Sequence, residues 1–184
     1  MVTKENVEKI AEQIIDRYNF DYPLNIEKLT KVAKGEDINV IFSNFDYFLE
    51  DNSSLEGALI INDKGKFIII NDNPHLSERR KLFTFAHELG HYFLHAKDKS
   101  KFEHQDTIGT FRRDSHWDFF EYEANQFAAE LLMPRKKIEE FVKGRKKETI
   151  WMISDLLAKI FNVSSIAMKY RLKNLGYIPQ ESYF

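Results

Sequence analysis

Two histidines four residues apart, with a glutamate beside the first, form the run His87-Glu88-Leu89-Gly90-His91. On an α-helix, positions four apart share a face with Cβ atoms about 5–6 Å apart, so the two imidazoles can converge on one cation. Glu88 is turned from His87 by about 100°. It can therefore stay outside the coordination sphere yet reach a water on the ion, where a general base is needed. Zinc held by three protein ligands keeps its fourth position for that water and lowers its pKa to about 7. The chemistry implied is metal-assisted hydrolysis, with a peptide bond as the leading substrate.

The chain has no cysteine among its 184 residues. Disulfides, thiolate zinc sites and cysteine nucleophiles are thus excluded, and histidine and carboxylate must hold any metal. A third ligand is needed. His95 continues the four-residue series, but on a straight helix it stands about 12 Å along the axis from His87, too far to share one ion. It reads as a helix-end side chain facing the last carbonyls. The segment Glu121-Tyr122-Glu123-Ala124-Asn125-Gln126-Phe127-Ala128-Ala129-Glu130-Leu131-Leu132-Met133-Pro134 offers a better source. Helical phase puts Glu121, Ala124, Asn125, Ala128 and Leu132 on one face, and the small alanines let that face approach another helix. Glu121 is preferred over Glu123, which runs in phase with Phe127 and Glu130 and reads as a solvated charge. Asn125, one turn beyond Glu121, is placed to hydrogen-bond a ligating histidine and fix its orientation.

Other elements must position these groups. Val7, Ile10, Ala11, Ile14, Ile15 and Tyr18 predict an amphipathic first helix, and Asn25 to Lys34 a second one ended by Gly35. A strand is expected over Ile38 to Phe42. The apolar runs Ala58–Ile61 and Phe67–Ile70, separated by Asn62-Asp63-Lys64-Gly65-Lys66, predict a hairpin. A helix from about Glu78 to His95 carries apolar residues around most of its circumference, as a central buried helix does. The polar stretch Lys97 to Asp118 is expected to be a binding loop or lid, and Phe119 to Met133 a helix ended by Pro134. The hairpin also offers an edge on which an extended peptide could add as a further strand.

Charge divides the chain. The totals are 27 Lys and Arg against 29 Asp and Glu, yet residues 135–175 hold eleven basic and four acidic side chains, while the first 134 hold 16 and 24. We expect a core over residues 1–134 and a basic helical subdomain over 135–184. Glu148 to Phe161 predicts a helix, and Ser164 can cap another running to Leu175 before Gly176, an arrangement that resembles a helix-turn-helix. Lys169, Arg171 and Lys173 on that last helix could follow a phosphate backbone, although a helical hairpin packed on the body is the favoured reading. With 43% hydrophobic and 30% charged residues the chain reads as folded and soluble. The first twenty residues contain no apolar run of a secretory signal, and no stretch is apolar enough to span a bilayer, so a cytoplasmic protein is expected.

Taken together, the block Arg79-Arg80-Lys81-Leu82-Phe83-Thr84-Phe85-Ala86-His87-Glu88-Leu89-Gly90-His91-Tyr92-Phe93-Leu94-His95 and the block Glu121-x-x-Ala124-Asn125-x-Phe127-Ala128-Ala129-x-Leu131-Leu132-Met133-Pro134 resemble the ImmA/IrrE family of metallo-endopeptidases. The resemblance implies an α+β, zincin-like metalloprotease core: N-terminal helices, a small β-sheet with a hairpin, a buried HExxH helix and a second ligand helix, followed by a helical tail. It implies His87, His91 and Glu121 as ligands of one Zn2+ per chain and Glu88 as catalytic base. It also implies regulated proteolysis in bacteria, with helix-turn-helix repressors of mobile elements or stress regulons as substrates. Mn or Fe could fill the same donor set.

Lys97 to Phe120 matches no part of the family pattern, so the group that stabilises the tetrahedral oxyanion is unassigned. His104, His116, Tyr92 and Tyr122 are candidates because each can donate to a developing charge about 3 Å away, although for each a structural role is the favoured reading. The rival readings are a module that binds a repressor or DNA without cutting, and a structural zinc, which would need a fourth protein ligand.

Overall fold

Thr3 and Asn25 open the first two helices by accepting hydrogen bonds from the backbone N–H groups of Asn6 and Lys28, at 3.3 and 2.9 Å. α1 (Lys4–Tyr18) buries Val7, Ala11 and Ile14, and α2 (Ile26–Gly35) buries Leu29, Val32 and Ala33, each along one face. Described here, in a computed structural model, are residues 3–44, 54–108 and 115–179, without the side chains of residues 54, 106–108 and 115–118.

β1 (Ile38–Ser43), β2 (Ser54–Asn62) and β3 (Gly65–Asn71) follow. The two apolar runs do form the expected hairpin, with Leu59 opposite Ile68. The turn is held by Asn62, whose side-chain oxygen accepts from the Lys64 N–H at 2.9 Å. β1 lies parallel to β3 on its outer side, and the sheet order is β1-β3-β2-β4 among the described residues.

β4 (Phe102–Ile108) corrects the expectation of a loop or lid over Lys97 to Asp118. This segment is mostly polar, but it sits at the sheet edge, where backbone pairing to β2 supplies the order and only alternate side chains need be apolar or buried. Its register with β2 slips between Leu55 and Gly57, leaving Glu56 at the irregularity. Glu56 is buried and meets the Arg80 guanidinium, whose Nε lies 2.7 and 2.6 Å from the two carboxylate oxygens.

α3 (Glu78–His91) starts at Ser77, which caps the Arg80 N–H at 3.2 Å, and continues as a π-helical turn over Tyr92–Ala96. It packs on β2 and β3 on one side and on α4 (Ser115–Leu132) on the other, which accounts for its nearly all-round burial. α4 begins a turn earlier than expected. After Pro134 come α5 (Arg135–Val142), α6 (Lys147–Met152), α7 (Ser154–Ile160) and α8 (Ser165–Asn174). The single helix expected over Glu148 to Phe161 is broken at Ile153, whose ψ of 1° leaves the α region.

One apolar cluster runs from Val7 to Ile178 and includes α5, α7 and α8. Arg171 of α8 is 2% exposed; it is ion-paired with Glu130 of α4, and its Nε donates to the Met133 carbonyl at 3.0 Å. Lys173 is buried as well, and Lys169 lies 5.2 Å from the Trp151 ring. Arg171 at least is not part of a phosphate-following face: it is turned inward because Glu130, a buried carboxylate, needs a cation. Among the described residues no helix is long and apolar enough to cross a membrane.

Candidate metal centre

His87 and His91, one turn apart on α3, bring their Nε2 atoms within 2.9 Å of each other. Glu121 reaches across from α4, with Oε2 3.3 Å from His87 Nε2 and Oε1 3.3 Å from His91 Nε2. Each of the three residues offers one ligand atom, and all three atoms lie within 4.8 Å of one another. Lone pairs crowded this closely in a buried place suit a divalent cation, and a two-imidazole, one-carboxylate set suits a first-row metal with an open position.

The convergence depends on how near α3 and α4 can come. A Cβ on Gly90 would stand 3.1 Å from the Cα and 3.1 Å from the carbonyl oxygen of Ala124 and 3.1 Å from Phe127 Cδ1, so the missing side chain at Gly90 is what lets α3 lie against the Ala124 backbone and the Phe127 ring. Asn125, one turn along α4 from Glu121, places Oδ1 3.2 Å from His87 Nδ1. An Nδ1–H donated to that oxygen leaves Nε2 with its lone pair toward the cluster.

Electrostatics agree with this protonation pattern. Burial holds His91 well below the usual imidazole value, so its ring is neutral. Burial alone would raise the Glu121 carboxyl, but hydrogen bonds with His104, His87 and His91 outweigh it and hold the group well below the ordinary carboxylate range. Glu88, next to His87, is fully buried, with Oε2 3.6 Å from His104 Nδ1.

The family model of M78 peptidases, described as the IrrE N-terminal-like domain, matches residues 33–173. The chain belongs to the ImmA/IrrE family. Among its relatives is the metallopeptidase ImmA of Bacillus subtilis (strain 168), 30% identical over 166 residues, which span 85% of this chain and 88% of that protein. The uncharacterized immunity region protein 2 of Bacillus phage phi105 is 27% identical over 150 residues, 82% of this chain and 79% of that protein. A solved Mycobacterium tuberculosis transcriptional regulator has the same fold with a TM-score of 0.62 at 17% identity; the match covers 98% of this chain but 49% of that one, so the chain spans about half of that protein. Membership in ImmA/IrrE, together with the His87, His91 and Glu121 cluster, supports a metal-dependent peptidase.

The ImmA/IrrE core places the remaining candidates unequally. His104 of β4, one of the four candidate oxyanion donors, is buried with Nε2 2.5 Å from Glu121 Oε1, and its ring stacks on that of His91 at 3.6 Å between centroids. Burial would lower His104, but hydrogen bonds with Glu121 and Glu88 prevail and lift it to about 9. Tyr92 has a structural role: its hydroxyl donates to Glu36 Oε2 at 3.2 Å and accepts from Lys66 Nζ at 3.0 Å, so a neighbouring polar cluster engages it. Tyr122 is 55% exposed, turned away from the face that carries Glu121. The side chain of His116 lies outside the described residues.

Glu123 is corrected as well. It is buried and not the solvated charge expected; His95 does lie in the last helical turn, but buried, with Nδ1 3.7 Å from Glu123 Oε2. Burial drops His95 to about 4. The contact joins two elements distant in sequence, and no local period could reveal it.

Proposed function

We propose that this ImmA/IrrE protein is a zinc-dependent endopeptidase acting in the cytoplasm on a helix-turn-helix transcriptional repressor, whose cleavage derepresses genes of a mobile element or a stress response. The observation that carries the reading is the meeting of His87, His91 and Glu121 around one point, with the Glu88 carboxylate buried beside it. In this reading the zincin-like core comprises residues 1–134, and the helices after it form a tail packed on that core.

His87 Nε2, His91 Nε2 and a Glu121 oxygen would hold the ion. When bound, a divalent cation polarises a carbonyl and makes water acidic near neutral pH. Glu88 takes the proton of the attacking water on its carboxylate and passes it to the leaving amide nitrogen as the C–N bond breaks. Burial keeps Glu88 away from bulk water, so its proton traffic is confined to the reacting groups. Asn125 holds the His87 ring so that Nε2 faces the ion. Arg171, Lys169 and Lys173 are engaged within the protein, which favours a protein substrate over direct DNA reading by the tail.

The test is a comparison of new protein N-termini produced in a bacterial lysate by the zinc-loaded wild type and by Glu88→Gln. Cleavages in repressors that require Glu88 support the proposal. Identical sets of N-termini with the two proteins would sink it.

A further inference from the structure

We infer that His104 is a positioning residue that holds the Glu121 carboxylate in place from the sheet, with its other ring nitrogen turned toward Glu88, an inference that rests on the metallopeptidase reading. β4 is an edge strand, and the flanking residues Glu103 and Gln105 are exposed, as polar residues on such a strand should be. His104 breaks that pattern. It pairs with Leu59 of β2, the two side chains share the sheet face that lies on α3, and both are buried.

An imidazole in such a place is costly unless its polar atoms find partners. Here each ring nitrogen faces a different carboxylate: Nε2 lies 2.5 Å from Glu121 Oε1, and Nδ1 lies 3.6 Å from Glu88 Oε2. The ring plane is set by stacking on His91, at 27° between planes. One side chain on the sheet thereby touches groups from both helices. Glu121 enters from α4 and is 36% exposed at its side chain, so its rotamer is not determined by packing alone; the His104 contact selects it. This role differs from stabilising an oxyanion, because the Nε2–H is directed at Glu121.

The test uses Co2+ as probe with the full chain. Its affinity is read in competition with a chromophoric chelator, and its site geometry from the visible absorption band, with circular dichroism as the folding control. Gln at position 104 can offer an amide N–H near the Nε2 position, Asn reaches only the Nδ1 position, and Phe keeps the stacking without a donor. We expect His104→Phe and His104→Asn to bind Co2+ about 10–100-fold more weakly with an altered band, and His104→Gln to stay near the wild type.

If the Phe variant does not fold, the Gln and Asn pair decides by itself, and equal affinities in that pair overturn the inference. Wild-type affinity and band shape in all three variants would overturn it while leaving the peptidase reading intact. A wild type that binds no Co2+ overturns the peptidase reading and this inference together.

Discussion

Gly57 of β2 lies against Glu88 of α3 so closely that a Cβ at residue 57 would stand 3.0 Å from Glu88 Oε1 and 2.6 Å from Thr84 Cγ2. The sheet thus forms one wall around the acidic side chain. Gly57→Ala must push either Thr84 or Glu88 aside, and such overpacking costs about 1–3 kcal/mol. The expected result is a lowered melting temperature with metal content unchanged, since the atoms nearest to the added methyl belong to Thr84 and Glu88 and not to the three clustered ligand groups. Thermal denaturation run beside elemental analysis checks it.

Removing a ligand and removing the base should have separable consequences. His87→Ala and Glu121→Ala should lose the metal, which the wild type should hold at about one per chain. Glu88→Gln should keep metal and fold while cutting turnover by about 10²–10⁴-fold or more, as expected when a general base is lost. Elemental mass spectrometry with circular dichroism tests the first pair, and cleavage rates test the second. A Glu88→Gln protein as active as the wild type would remove Glu88 from the mechanism.

Glu123→Ala should keep its metal, because Glu123 lies with His95 behind the cluster. It should nonetheless destabilise the protein, by about 1–3 kcal/mol, because truncating the buried Glu123 side chain leaves a gap between α4 and the His95 ring. Urea denaturation of the metal-loaded protein reads this, and metal loss in a folded Glu123→Ala protein would contradict it.

At Gly90 the consequence is different from that at Gly57. An added methyl meets the backbone of Ala124 at 3.1 Å, and a helix backbone cannot step aside as a side chain can. Gly90→Ala should drive α4 from α3, separating Glu121 from the two histidines. We expect a lower melting temperature together with weaker metal retention against a chelator. Unchanged retention would mean that α4 has other freedom to bring Glu121 back.

Arg171 and Glu130 form a buried ion pair between α8 and α4. Arg171→Met leaves the Glu130 carboxylate buried without its cation, and the expected loss is about 3–5 kcal/mol. The double variant Arg171→Met/Glu130→Leu should recover much of that loss, because no charge is then stranded. Urea denaturation of the three proteins measures the coupling, and an additive double variant would deny it.

Much of the candidate site could be read from the chain because it depends on helix geometry alone. Residues four apart on one helix must share a face, so His87 with His91 and Glu121 with Asn125 are legible as pairs without any knowledge of the fold. Caps are similarly local, as Asn25 and Ser164 show. The hairpin followed from two apolar runs and a turn-forming stretch between them.

The rest was decided by contacts between segments distant in the chain. Phe102–Ile108 has too few apolar residues to announce a strand, and only the backbone groups of β2 make it one. His104 consequently reaches Glu121 and Glu88 by a route that no local period encodes. The burial of Glu123 against His95, of Glu56 against Arg80 and of Glu130 against Arg171 has the same origin. A charged side chain reads as solvated until tertiary structure supplies a partner, and its burial is tolerable only when that partner is present. Sequence therefore determined which side chains could form the centre, and the packing of α3 between the sheet and α4 decided which of them meet.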